Sequence, residues 1–71
     1  MVSEVAIRGE VIRLGQLLKV AGLIDSGAEV KAFLAEQAVL VNGEPEDRRG
    51  RQLRAGDVVA VGDRELRVTA R

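Results

Sequence analysis

Apolar and polar residues alternate over residues 2–8, with Val5 and Ile7 on one side and Glu4, Ala6 and Arg8 on the other. This period of two predicts a half-buried strand at the edge or in a second layer of a sheet. Gly9 breaks the pattern, and from Val11 the period changes. Leu14, Leu17, Leu18 and Ala21 recur at i, i+3, i+4 and i+7, which marks one face of a helix, and Gly22 is placed to end it. Arg13, Gln16 and Lys19 fall off that face toward solvent. Ser26, followed three residues later by Glu29, predicts a capping box that opens a second helix with Ser26 as its N-cap. Val30, Phe33 and Leu34 share the inward face. Gly27, Ala28, Lys31 and Ala35 form a neighbouring face of small residues around one lysine, open to close approach by a sheet or a ligand.

After the second helix the pattern returns to strands. Residues 38–41 read as a short strand, Asn42-Gly43 as a turn pair tolerant of positive φ, and Glu44-Pro45 as a return strand that Pro45 confines to an edge. Residues 52–57 read as a connector ending in the turn Ala55-Gly56-Asp57. Residues 58–61 and 65–69 form a hairpin across Gly62-Asp63. The expected fold is α+β, two packed helices against a small, mainly antiparallel sheet of four to five short strands. Leu14, Leu17, Val30, Phe33, Leu34, Val41 and Val59 are its expected core.

Length and composition narrow the function. Seventy-one residues suit a single domain, 1–71, with a modest core. Cysteine and histidine are both absent, which removes disulfides, thiolate zinc sites and histidine acid–base chemistry. The carboxylates stand beside arginines or at caps and turns, and no phosphate-binding G-x-x-x-x-G-K-[ST] loop occurs. A protein that is not an enzyme, with no cofactor, metal or small-molecule substrate, is expected. The N-terminal stretch is too polar for a secretory signal and no apolar run approaches a membrane span, so a soluble cytoplasmic protein is expected. Short strand edges interrupted by Pro45 or charge favour a monomer.

Net charge is zero, but its distribution is uneven. Residues 1–47 carry four Lys/Arg against eight Asp/Glu, and residues 48–71 carry seven against three. Arg48, Arg49, Arg51 and Arg54 fall close together, so the local potential is positive although the sum vanishes. Phe33 is the one aromatic residue, so base-stacking platforms are missing. Nucleic-acid recognition by such a chain reads phosphate, ribose and shape.

Taken in order, Arg13-Leu14, Leu17-Leu18, Gly22-Leu23, Ser26, Val39-Leu40-Val41-Asn42-Gly43 and Leu53-Arg54-Ala55-Gly56-Asp57 fit a known pattern over about 45 residues. The chain resembles the alpha-L RNA-binding domain of the ribosomal protein S-four type, in its small stand-alone bacterial version. The resemblance implies a module for structured RNA of the ribosomal or transfer class, associated with the ribosome and translation. It places the binding surface at Arg13, Ser26, Gly27, Lys31 and the Arg48, Arg49, Arg51 cluster. The chain departs from the pattern at three places. Gly27 stands where many members carry arginine, which removes a phosphate contact. Gln37 stands where many end the second helix with glycine, which hands a strained turn to Gln37 or Ala38. Gly15 stands where an aspartate often follows Arg-Leu.

The candidate RNA-binding residues are therefore Arg13, Lys19, Ser26, Gly27, Lys31, Arg48, Arg49, Arg51 and Arg54. For the arginine cluster, bidentate clamping of phosphate competes with a solvated loop that balances Glu44, Glu46 and Asp47. For Lys31, a phosphate at the helix start competes with an ordinary ion pair to Glu29 or Asp25. Ser26 is a cap that can share its amides with a phosphate, while Arg54 flanks a turn and Lys19 sits on a helix surface. A protein-interaction adaptor on the same fold is the alternative function.

Overall fold

The structure, a computed structural model, describes residues 2–71, so Met1 of the expected 1–71 domain lies outside the described residues. The chain runs β1 (Val2–Ile7), β2 (Ile12–Arg13), α1 (Leu14–Val20), a 3-10 turn (Gly27–Glu29), α2 (Val30–Glu36), β3 (Val39–Val41), β4 (Glu44–Pro45), β5 (Gln52–Leu53), β6 (Val58–Val61) and β7 (Arg64–Ala70). Five strands form one sheet in the order β1-β7-β6-β3-β4, antiparallel throughout except for the parallel pair β1 and β7. The strands β2 and β5 form a separate antiparallel ribbon. The α+β expectation holds, with an edge strand at each end of the sheet as the sequence suggested.

One core joins the layers. Alternation brings Val5, Ile7, Val39, Val41, Val59, Val61, Leu66 and Val68 to the inner face of the sheet. Leu14, Leu17 and Leu18 of α1 and Val30 and Leu34 of α2 close over them. Phe33, expected within the core, is half-buried and packs against its margin.

Local chemistry explains most of the boundaries. At the end of α1, Gly22 takes φ +80°, the Leu23 N–H donates to the Leu18 carbonyl and the Gly22 N–H to the Lys19 carbonyl. These are the two bonds of a Schellman cap. Asn42 and Gly43 both have positive φ, 52° and 85°, as a two-residue type I′ turn requires. Asn42 does more than turn the chain. Its Oδ1 accepts from the Val58 N–H at 3.0 Å and its Nδ2 donates to Asp57 Oδ1 at 3.1 Å. The other oxygen of Asp57 accepts the Arg54 N–H at 2.8 Å. The Asn-Gly and Gly-Asp turns, far apart in sequence, are clasped together.

Four expectations are corrected. The Ser26–Glu29 capping box does not form, because the first turn tightens to 3-10 and the Glu29 N–H is satisfied by the Ser26 backbone carbonyl instead. The first helix starts at Leu14 rather than Val11, since Ile12 and Arg13 pair with Leu53 and Gln52 as strand. The supposed connector thus begins as β5, with Leu53 fully buried. Finally, neither Gln37 nor Ala38 is strained. Gln37 has φ −105° and ψ 139°, ordinary extended backbone, and Asn42 is the non-glycine residue with positive φ among the described residues.

Candidate nucleic-acid interface

Geometry at the site begins with the unsatisfied amides at the start of α1. A helix leaves its first N–H groups without internal partners. Here the Leu14 N–H donates to the Arg51 carbonyl at 2.8 Å and the Gly15 N–H to the Arg49 carbonyl at 3.0 Å. The arginine loop therefore caps α1 with its own backbone, and its position is set by the helix. A Cβ on Gly15 would stand 3.3 Å from a Val30 methyl, tighter than such atoms usually pack, and 3.5 Å from the Arg49 carbonyl oxygen, an ordinary contact, so the missing side chain eases the packing of α1 on α2 beside the loop.

Glu46 fixes the loop from the other side. Its N–H donates to the Val39 carbonyl at 2.9 Å, and its carboxylate, on a residue only 9 % exposed, gathers five donors. Oε2 accepts from the Asp47 N–H at 3.1 Å, the Arg48 N–H at 3.1 Å and Arg48 Nε at 3.0 Å. Oε1 accepts from Arg48 Nη2 at 3.2 Å and Arg51 Nη1 at 2.8 Å. Hydrogen bonds to the ionised form favour it. The guanidiniums of Arg48 and then Arg51 hold the Glu46 carboxyl at about 2, well below its ordinary 4.5, against the opposing effect of burial. Glu46 in turn pushes Arg48 upward.

A carboxyl depressed on folding contributes stability that is whole above its unfolded value of about 4.5 and is lost as pH falls through about 2. Urea denaturation of the wild type is expected to show the midpoint falling across that window. Glu46→Gln is expected to flatten the fall while lowering the plateau at neutral pH. Identical profiles for the two proteins would remove Glu46 from the account. Arg48 is 73 % exposed and Arg51 36 % at the side chain, so solvent screens the pair and added salt is expected to reduce the difference.

The cluster of three arginines is thus divided. Arg48 and Arg51 are engaged by Glu46, as the charge-balance reading anticipated, and of its three acids Glu46 is the one that hydrogen-bonds them. Arg49 has no side-chain hydrogen bond or ion pair among the described residues, and it stands between two adjoining clefts. One, of about 290 Å³, is lined by Arg13, Gly15, Gln16, Lys19, Gly27, Val30, Arg49 and Gly50. The other, of about 490 Å³, is lined by Lys31, Leu34, Ala35, Asp47 and Arg49. Five of the nine candidates, Arg13, Lys19, Gly27, Lys31 and Arg49, meet there. Lys31 forms no ion pair with Glu29 or Asp25 among the described residues. Because α2 has seven residues and opens on a 3-10 turn, Lys31 acts through its own ammonium more than through the helix field.

The remaining candidates lie elsewhere. Ser26 is an N-cap by backbone only and lines neither cleft. Arg48 and Arg51 border a third recess with Gly50 and Gln52. Arg54 belongs to the Asn42–Asp57 clasp through its backbone, and that clasp pushes the Asp57 carboxyl below its usual range, mainly through the Arg54 N–H. Sequence reading missed Glu46 as an organiser and Gly15 as the point of convergence. The one signal for the first was an acid two and five residues ahead of Arg48 and Arg51.

A family model for the S4 domain matches residues 5–69, spanning both helices and the sheet. The chain belongs to the S4 domain family. A protein of Bacillus subtilis (strain 168), named probable ribosome maturation protein RlbA, is 52 % identical over 61 residues, which cover 86 % of either chain. The expected membership of the S-four type is met.

Proposed function

We propose that this S4 domain is a non-catalytic RNA-binding module of the alpha-L type, contacting structured RNA of the ribosomal or transfer class through phosphates and shape. The observation that carries the reading is the placement of Arg49. Its backbone is locked to the start of α1, and its unengaged guanidinium stands between clefts lined by Arg13 and Lys19 on one side and Lys31 on the other. Guanidinium forks suit phosphate oxygens, and cations fixed at several points suit the spaced phosphates of a folded strand better than a single anion. The RNA-binding character of the S4 family supports the same conclusion, and the ribosome maturation protein it resembles favours an RNA of the ribosome. Residues 1–71 act as one domain, as a cytoplasmic monomer that needs no cofactor.

The carboxyls of Glu46 and Asp57 are both pushed below their usual range, so neither is poised as a general acid or base near neutral pH.

Amide-shift titration of the labelled protein with a ribosomal RNA stem-loop tests the proposal at about 50 and about 200 mM salt, a range over which phosphate contacts weaken steeply. Shifts are expected at Gly15, residues 27–31 and residues 48–51, fading at the higher salt. With four to six phosphates neutralised, the log–log salt slope is expected to be about −3 to −5. No shifts at either salt, with duplex and junction RNAs tried as well, would end the proposal.

A further inference from the structure

We infer that the groove between the end of β1 and the outer side of α1 receives an unpaired nucleotide of the RNA whose phosphates lie in the clefts around Arg49. The inference rests on the RNA-binding reading above and extends it to a separate subsite. This groove, of about 540 Å³, is lined by Ala6, Ile7, Arg8, Val11, Ile12, Arg13, Gln16 and Val20. Its size falls among small-molecule sites, which run from about 300 to 1,000 Å³.

Three observations point to a nucleotide. First, the lining is apolar where a base would rest. Val11 is 38 % and Val20 56 % exposed, two of the three large hydrophobic residues left open on the described surface. Second, the charges in the lining are Arg8 and Arg13, with no carboxylate among them. An apolar shelf edged by cations matches a ligand with a flat apolar face and an attached phosphate. Third, the groove is continuous with the candidate interface, since Arg13 and Gln16 line both it and the cleft that holds Lys19 and Arg49. A strand leaving that cleft crosses Arg13 and enters the groove.

The chemistry of the shared wall fits. Proteins recognise RNA sequence at unstacked bases, which they stack on aromatic rings or on arginine planes and read at their hydrogen-bonding edges. Phe33 lies on α2, away from this groove, so Arg13 and the valines provide the available stacking surface. The Gln16 amide has both a donor and an acceptor to offer a base edge, and no partner within the protein among the described residues. An acidic amphipathic peptide would also suit an apolar, cationic groove, and the continuity with the Arg49 clefts, whose cations suit spaced phosphates, favours the nucleic-acid strand.

The test compares the full chain binding two RNAs, a fully paired stem-loop and the same stem carrying one unpaired adenosine. At about 50 mM salt the bulged RNA is expected to bind about tenfold tighter, the gain that burying roughly 55 Å² of apolar surface in the groove gives. Val11 and Val20 methyl signals are expected to move with the bulged RNA alone. Val20→Ser and, separately, Gln16→Ala are expected to bring the ratio toward one, each variant being checked for its fold by circular dichroism. Equal affinities with unmoved methyl signals would overturn the inference and leave the RNA-binding reading standing. Failure of both RNAs to bind would overturn that reading and the inference with it. Methyl signals that ignore both RNAs and move with a Leu- and Glu-rich amphipathic peptide would assign the groove to a protein ligand and overturn it too.

Discussion

Arg49→Ala is expected to weaken binding to a structured RNA on the order of tenfold at low salt, about 1.4 kcal/mol, while Arg48→Ala costs clearly less. The asymmetry is the point, because sequence alone makes the two neighbours equivalent. Arg48 already directs Nε and Nη2 at Glu46, and its removal also frees the carboxylate from one of its two guanidiniums. Arg49 is held by its main chain at the α1 start, and its guanidinium has no hydrogen-bond or ion-pair partner among the described residues. Loss of one phosphate contact should make the log–log salt slope shallower by about one and act alike on RNAs of different sequence. Binding isotherms at several salt concentrations measure both quantities. Equal losses for the two variants, or an unchanged slope for Arg49→Ala, would show that the loop does not divide its arginines in this way.

The second large effect concerns stability. Leu53→Ala is expected to cost about 3 kcal/mol, within the range for removing a buried leucine without full collapse of the cavity. Leu53 is fully buried although its strand β5 is two residues long, and its neighbour Gln52 is exposed. For a protein of this length total stability is about 4–10 kcal/mol, so one such change removes a large fraction. A fall in thermal midpoint of about 12–24 °C follows from the entropy of unfolding of a small domain. Gln52→Ala, on the same strand, is expected to shift the midpoint little. RNA affinity of Leu53→Ala, measured where the variant is still folded, should keep the wild-type salt slope, since no phosphate contact is lost. A changed slope would mean that β5 also sets the positions of the arginines.

The elements legible in the sequence are those decided within a few residues. Gly22 ends α1 because only nearby backbone bonds matter there. Asn42-Gly43 and Gly62-Asp63 turn the chain because their own φ preferences dictate it. The capping box failed on similarly local grounds. Its donor was available to a backbone carbonyl, and a 3-10 turn satisfied it without the side chains. The pairing of β2 with β5 was not legible, because two-residue strands carry no period and their partners are some forty residues apart. The arginine cluster was legible as a cluster and not as a division of labour. Which arginine Glu46 takes depends on how the Val39 and Arg49 carbonyls fold the loop, and charge spacing does not record that.

The parallel pair β1 and β7 closes the sheet with residues some sixty positions apart, Val2 beside Glu65 and Ile7 beside Ala70. Pairings so remote in sequence carry the largest loop-closure entropy and slow folding. The hairpin of β6 and β7, the Schellman cap of α1 and the β3–β4 turn are all local and have no such delay. The order of assembly expected from this puts the helices, the loop and the inner strands together first. The β1 strand is expected to seal the edge last, carrying Val5 and Ile7 into the core.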